Sequence, residues 1–141
     1  MKYLVKYSPE ITIKSRPVRS RFARQLQQNL SALLKRASDQ IEIQGNWDYI
    51  AINTPESLNH NRQHQIEKVL SSTQGICFFE RVQHHSVTTL DDIQVHTLPV
   101  FQTRLKGKTF AVRCKRTGRH PFTSMDVEKF VGSGLNLNTE A

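Results

Sequence analysis

Apolar positions repeat with two different periods along this chain, and the alternation between them sets out its organisation. Lys2–Tyr7 (KYLVKY) predicts a short strand, ended by Ser8-Pro9. Arg16-Pro17 then opens a helix, because Pro at the first helical position has no hydrogen bond to lose. Val18, Phe22, Leu26, Leu30, Leu33 and Leu34 form its expected buried stripe, with Arg24, Gln27, Gln28 and Ser31 facing outward, and the helix is expected to reach Ala37. Ile41–Ile43 and Trp47–Ile52 predict two strands joined around Gly45-Asn46, a hairpin signal. Thr54-Pro55 is the expected cap of a second helix carrying Leu58, Ile66, Val69 and Leu70. Gly75 stops that helix, and Ile76–Val82 is a last strand. The order β-α-β-β-α-β is the split arrangement of a ferredoxin-like domain, placed at residues 1–84.

From residue 85 the pattern starts again. Thr89 or Asp91 can cap a helix running through Leu105, with Ile93, Val100, Phe101 and Leu105 in phase. Pro99 should kink it by removing a backbone donor. Across Lys108–Arg116, Phe110, Val112 and Cys114 fall on one face, and Thr109, Ala111, Arg113 and Lys115 on the other. That period of two predicts a half-buried strand. Thr123-Ser-Met-Asp126 has the form of a capping box, and Val127, Phe130, Val131, Gly134 and Leu135 follow as one helical stripe. Gly132 and Gly134 suit close helix packing. One strand between two helices makes no sheet of its own. The expectation is therefore an α+β chain whose second domain, residues 85–141, is incomplete, with a last helix poorly supported and the whole a piece of a longer protein.

Charge sharpens this picture through its distribution. The net charge is +8, and residues 11–38 hold seven cations (Lys14, Arg16, Arg19, Arg21, Arg24, Lys35, Arg36) without an acid. Residues 104–119 hold seven more (Arg104, Lys106, Lys108, Arg113, Lys115, Arg116, Arg119), again without an acid. Two such blocks point to one extended anionic partner touched in two places; the alternative is a solvated basic face. The loop Lys115–Phe122 carries Lys115, Arg116, Arg119 and His120 around Gly118 and runs onto a helix N-terminus, where backbone N–H groups and the helix dipole also favour phosphate. Lys115, Arg116, Arg119 and His120 are thus the leading candidates for contact with that anionic partner, flanked by Lys108 and the outward Arg113. Phe122 either stacks a base or fills the core at the helix start. Lys14, Arg16, Arg19, Arg21 and Arg24 suit backbone phosphates of such a partner, a contact that positions without specifying. Glu10 suits pairing with one of these cations.

Other chemistry is sparse. His60 and His64 lie four apart without a third ligand at metal spacing, so no metal is expected. Cys77 and Cys114 sit in strand-like patterns and read as inert buried thiols of a reducing compartment. No apolar run approaches a membrane span or a secretory signal, so the expected location is the cytoplasm.

Two stretches carry a family resemblance. Pro9-Glu10-Ile11-Thr12-Ile13-Lys14, followed by Arg19, Phe22, Leu26 and Asn29, resembles the start of the tRNA 4-thiouridine synthetases, which also serve thiamine biosynthesis. Phe110–Arg116, Gly118, His120, Phe122, Asp126–Glu128 and Val131-Gly132 resemble the start of the THUMP domain of those enzymes. The resemblance implies a ferredoxin-like domain plus a partial THUMP domain that together bind tRNA, with THUMP holding the acceptor 3′ end. It also implies a separate adenylating domain that uses ATP and Mg to thiolate uridine 8, a cysteine desulfurase as sulfur donor, and possible homodimerisation. The S-G-G-x-D-S loop of that adenylating domain does not occur in the sequence, nor does a rhodanese domain, so the chain is expected to carry recognition without catalysis or a cofactor. Two alternatives stand beside this reading. One is the RNA-binding module of another THUMP enzyme, such as a methyltransferase. The other is a ferredoxin-like regulatory or dimerisation domain whose basic surface is incidental.

Overall fold

The structure, a computed structural model, describes residues 1–139. The chain divides into two compact units, the first Met1–His84 and the second beginning at His85.

In the first unit the elements are β1 (Lys2–Tyr7), α1 (Pro9–Thr12), α2 (Arg16–Leu34), β2 (Glu42–Gly45), β3 (Tyr49–Asn53), α3 (His60–Ser72) and β4 (Ile76–Val82). They form a four-stranded sheet in the order β2-β3-β1-β4, antiparallel at every pairing. This is the β-α-β-β-α-β arrangement expected from the sequence, with α1 as an added single turn. Alternation along β1 buries Tyr3, Val5 and Tyr7 on the helix side. They meet Ile50 and Ile52 of β3, Leu26, Leu30 and Leu34 of α2, and Ile66 and Leu70 of α3 in one core. A fully buried side chain of this kind contributes about 1.5–3 kcal/mol over its exposed state, so this core is the main source of the unit's stability.

Four local expectations change. Thr54-Pro55 caps no helix: Thr54 donates through its backbone N–H (2.9 Å) and its hydroxyl (3.2 Å) to the Met1 carbonyl, tying the chain start to the end of β3. Helix α3 begins later, where the Asn59 side chain accepts from the Arg62 N–H. Phe22 is 44% exposed rather than part of the core, because the buried stripe of α2 begins only at Leu26. Cys77 is exposed as well. Lys6 pairs with Phe78 but Tyr7 with Ile76, so Cys77 is the extra residue of a β-bulge and is displaced from the ladder. Gly75, at φ +92°, makes the turn into β4 and passes its carbonyl to the Ser8 N–H at 2.8 Å.

The second unit contains α4 (Leu90–Phe101) and α5 (Ser124–Thr139), with a long connection between them. Thr89 caps α4 in a complete capping box with Asp92. The helix stops at Phe101, short of Leu105 and two residues beyond Pro99, whose missing N–H weakens the final turn. Helix α5, which the sequence led us to expect to be poorly supported, is regular as far as Thr139. Val127, Val131 and Leu135 of α5 form the buried cluster, with Leu90, Ile93, Leu98, Leu105, Phe110, Val112, Cys114 and Phe122 packed around it. Gly134 is buried with the Gln94 side chain lying over it, which a Cβ would obstruct.

The expected strand at Lys108–Arg116 is present in side-chain alternation and missing in hydrogen bonding. Phe110, Val112 and Cys114 are half-buried while Ala111, Arg113 and Lys115 are exposed, yet no described residue of this unit pairs as a strand. A ladder needs a neighbour on at least one edge. A carboxylate supplies one substitute bond, from the Cys114 N–H to Glu128 Oε1 at 2.9 Å.

Candidate nucleic-acid interface

The two basic blocks are built differently. In the second unit, the loop Lys115–Phe122 leaves the extended segment and turns at Gly118 (φ +78°), a conformation that side chains with a Cβ rarely adopt. Arg116 closes the loop on itself. Its Nη1 donates to the Phe122 carbonyl at 3.1 Å and to the His120 carbonyl at 3.4 Å. His120 Nε2 lies 2.7 Å from the Thr117 carbonyl, and the imidazole stacks on Phe122 with ring centroids 5.7 Å apart and planes 13° from parallel. The loop is therefore held by its own side chains, so little ordering remains for a ligand to impose.

Lys115, Arg116, Arg119 and His120 are all exposed, as are Lys108 and Arg113 beside them. Arg113 uses Nη1 on the Val112 carbonyl at 3.2 Å. Phe122 is half-buried: it packs against the α5 cluster and also carries His120, so the two readings of this residue meet in one ring.

The helix end behind the loop differs from the expectation. Thr123 and Asp126 form the predicted box, the Thr123 N–H donating to Asp126 Oδ2 at 2.8 Å and the Asp126 N–H to Thr123 Oγ1 at 3.1 Å. The backbone N–H of Thr123 holds the Asp126 carboxyl below its ordinary pKa. A carboxylate thus already sits at the positive end of the α5 dipole, and the cationic side chains are left as the main attraction for phosphate.

In the first unit the basic residues lie along α2 and the turn before it. Lys14, Arg16, Arg21 and Arg24 are exposed. Arg19 is not available in the same way, since its side chain is only 12% exposed. Its Nη2 donates to the Trp47 carbonyl at 2.6 Å and lies 3.7 Å from Asp48 Oδ1, and its guanidinium lies 4.0 Å from the Trp47 ring centroid. Arg16 lies 5.7 Å from the same centroid, and Lys14 Nζ 4.8 Å from the ring of Phe22. Trp47 was not among the residues expected at the site. The signal was present: a lone Trp following the Gly45-Asn46 turn, where no core contact is due.

Among the described residues no three His, Cys, Asp or Glu side chains converge as a metal site, and no helix is long and apolar enough to cross a membrane. His60 and His64 are exposed on α3.

Comparison with known proteins agrees with both units. Residues 2–79 match the ThiI ferredoxin-like domain, and residues 87–140 match the THUMP domain. The chain is 43% identical over 141 residues to a tRNA sulfurtransferase of Shewanella oneidensis, covering all of this chain and 29% of that protein. It is 47% identical over 135 residues to a tRNA sulfurtransferase of Pseudomonas aeruginosa, covering 96% of this chain and 28% of that protein. The chain thus spans under a third of the length of these relatives. Its first unit has the strand order expected of a ferredoxin-like domain, and its second unit carries the cationic loop inside the THUMP match. The chain belongs to the family in which a ThiI ferredoxin-like domain is followed by a THUMP domain.

Proposed function

We propose that this chain is the tRNA-recognising portion of an ATP-dependent tRNA uracil 4-sulfurtransferase. The observation that carries the reading is the self-braced loop Lys115–Phe122, whose exposed cations have no acidic neighbour within the loop. The RNA-binding character of THUMP domains and the names of the relatives support it. In this reading Lys115, Arg116, Arg119 and His120 hold phosphates of the single-stranded acceptor end, with Lys108 and Arg113 beside them. Lys14, Arg16, Arg21 and Arg24 lie along the stem.

The chain's own contribution is electrostatic capture and measurement of tRNA shape. Uridine 8 is presented to a catalytic domain outside these residues, where ATP and Mg act and a cysteine desulfurase supplies sulfur. The chain alone is inactive in this scheme, which places the protein in the cytoplasm and extends its sulfur transfer to the thiamine thiazole. Any homodimer would be a property of the longer protein.

The test is binding of the chain to unmodified tRNA, with and without its 3′-terminal nucleotides, across a salt series. Affinity should fall by about 0.7–0.9 log units per tenfold salt for each neutralised phosphate, and trimming the 3′ end should weaken it. Equal affinity for trimmed tRNA and random RNA would leave only a basic surface, the ferredoxin-like regulatory alternative.

A further inference from the structure

We propose that Trp47 is a stacking platform for an unpaired RNA base next to the stem, with Arg16 and Lys14 placed for the phosphates at that junction. The inference rests on the RNA-binding reading above and adds a residue and a mode of contact to it.

The first observation is that the ring is exposed and fixed at once. Trp47 is 48% exposed at the tip of the β2–β3 hairpin. Arg19 lies 4.0 Å from its centroid and is itself held by the Trp47 carbonyl and Asp48. The turn beneath is braced from the core. Tyr7 donates its hydroxyl to the Asn46 carbonyl at 3.1 Å, Gln27 Nε2 donates to that hydroxyl at 3.5 Å, and the Asn46 N–H bonds the Tyr49 carbonyl at 2.8 Å. An exposed aromatic surface held in one orientation loses little entropy when a flat partner lands on it.

The second observation is the charge around it. Lys14, Arg16, Arg21 and Arg24 are exposed along the same turn and helix, and Asp48, next to Trp47, is paired with Arg19. A second ring repeats the motif: Phe22, 44% exposed, carries Lys14 Nζ at 4.8 Å. Exposed rings interleaved with cations fit a strand of unstacked nucleotides, whose bases have apolar faces and whose linkages are anionic. An acidic protein surface would use the cations and leave the rings without a partner.

Trp47 is the only tryptophan in the chain, so its emission reports on this position alone. The chain would be titrated with end-labelled single-stranded RNA, with labelled tRNA, and with inorganic polyphosphate, following both label anisotropy and tryptophan emission. Both RNAs should quench Trp47 as they bind, whereas polyphosphate, which has charge and no bases, should not. Trp47→Ala should weaken single-stranded RNA binding about tenfold, and Trp47→Phe should restore most of that affinity. The slope of affinity against salt should stay unchanged in both, because a stacked ring releases no counterions. Circular dichroism of the two variants checks that the fold is retained. RNA binding seen by anisotropy with unchanged Trp47 emission would overturn the platform and leave the RNA-binding reading standing. Absence of RNA binding by the intact chain would overturn both.

Discussion

The two units of this chain contain similar apolar patterns and reach different degrees of closure. In the first, every strand finds a neighbour, and Tyr3, Val5, Leu30, Ile50, Ile52 and Ile66 become fully buried. In the second, the apolar positions of the extended segment are half-covered, and the buried cluster is confined to Val127, Val131 and Leu135. An apolar groove of about 470 Å³ is left along them, lined by Phe101, Phe110, Val112, Cys114, Val131 and Leu135 among others. A period of two therefore sets which side chains turn inward, whereas a sheet also needs a second backbone whose donors and acceptors match. The proposed function follows the same division. The first unit offers a rigid platform braced by its core, and the second offers a loop braced by its own side chains.

The largest effect that separates the units should come from their cores. Leu30→Ala removes a side chain with no exposed surface and should destabilise the first unit by about 2–5 kcal/mol, read as weaker amide protection in β1 and β3 by hydrogen exchange. Leu135→Ala borders the open groove, where less tightly packed surroundings leave a smaller cavity penalty. It should cost less than about 2 kcal/mol, read in the amides of α5. Equal destabilisation would mean that the second unit is as tightly packed as the first.

RNA affinity comes next. Replacing Lys115, Arg116 and Arg119 together with Gln should lower the salt slope of tRNA binding by about 0.7–0.9 for each phosphate that is no longer neutralised, measured by anisotropy. The change at Arg116 should also loosen the loop, since it removes the donors to the Phe122 and His120 carbonyls. Arg19→Gln should act otherwise, shifting Trp47 emission with a smaller change in salt slope, because Arg19 is occupied by Trp47 and Asp48. A drop in slope at Arg19 as large as at an exposed cation would place it on phosphate instead.

A finer contrast lies in single amides. Past Lys108, whose N–H bonds the Leu105 carbonyl, the extended segment should exchange fast except at Cys114, whose N–H is held by Glu128, and Glu128→Ala should remove that protection. Acid provides the smallest difference. Backbone N–H groups of Thr88 and Thr89, with both hydroxyls, hold Asp92 down to about 2 from an ordinary 3.8. A depressed carboxyl stabilises the folded state above its unfolded pKa and loses that contribution as pH falls through the folded one. The start of α4 should therefore weaken between about pH 4 and pH 2, and Asp92→Asn should flatten that part of the acid titration followed by circular dichroism.

Much of the fold was legible in the sequence because its signals are local. The strand of alternating Tyr3, Val5 and Tyr7, the helix opened by Arg16-Pro17, and the Thr123–Asp126 box each depend on residues within a few positions of one another. The cationic loop was legible for the same reason, since charge clustering along Lys115–His120 needs no fold to be seen. What failed depended on distant partners. Thr54 answers to Met1, Cys77 to a bulge opposite Lys6 and Tyr7, and the Lys108–Arg116 segment to a neighbouring strand that no described residue supplies. Trp47 is the clearest case for the site. Its sequence neighbours mark a turn, but Tyr7, Arg19 and Gln27, which hold that turn and ring in place, come from β1 and α2. Neighbouring residues along the chain set the periods, the charge clustering and the Thr123–Asp126 box. The tertiary structure decided which cations are spent on holding the protein together and which remain exposed for a partner, because that depends on which groups meet across the fold.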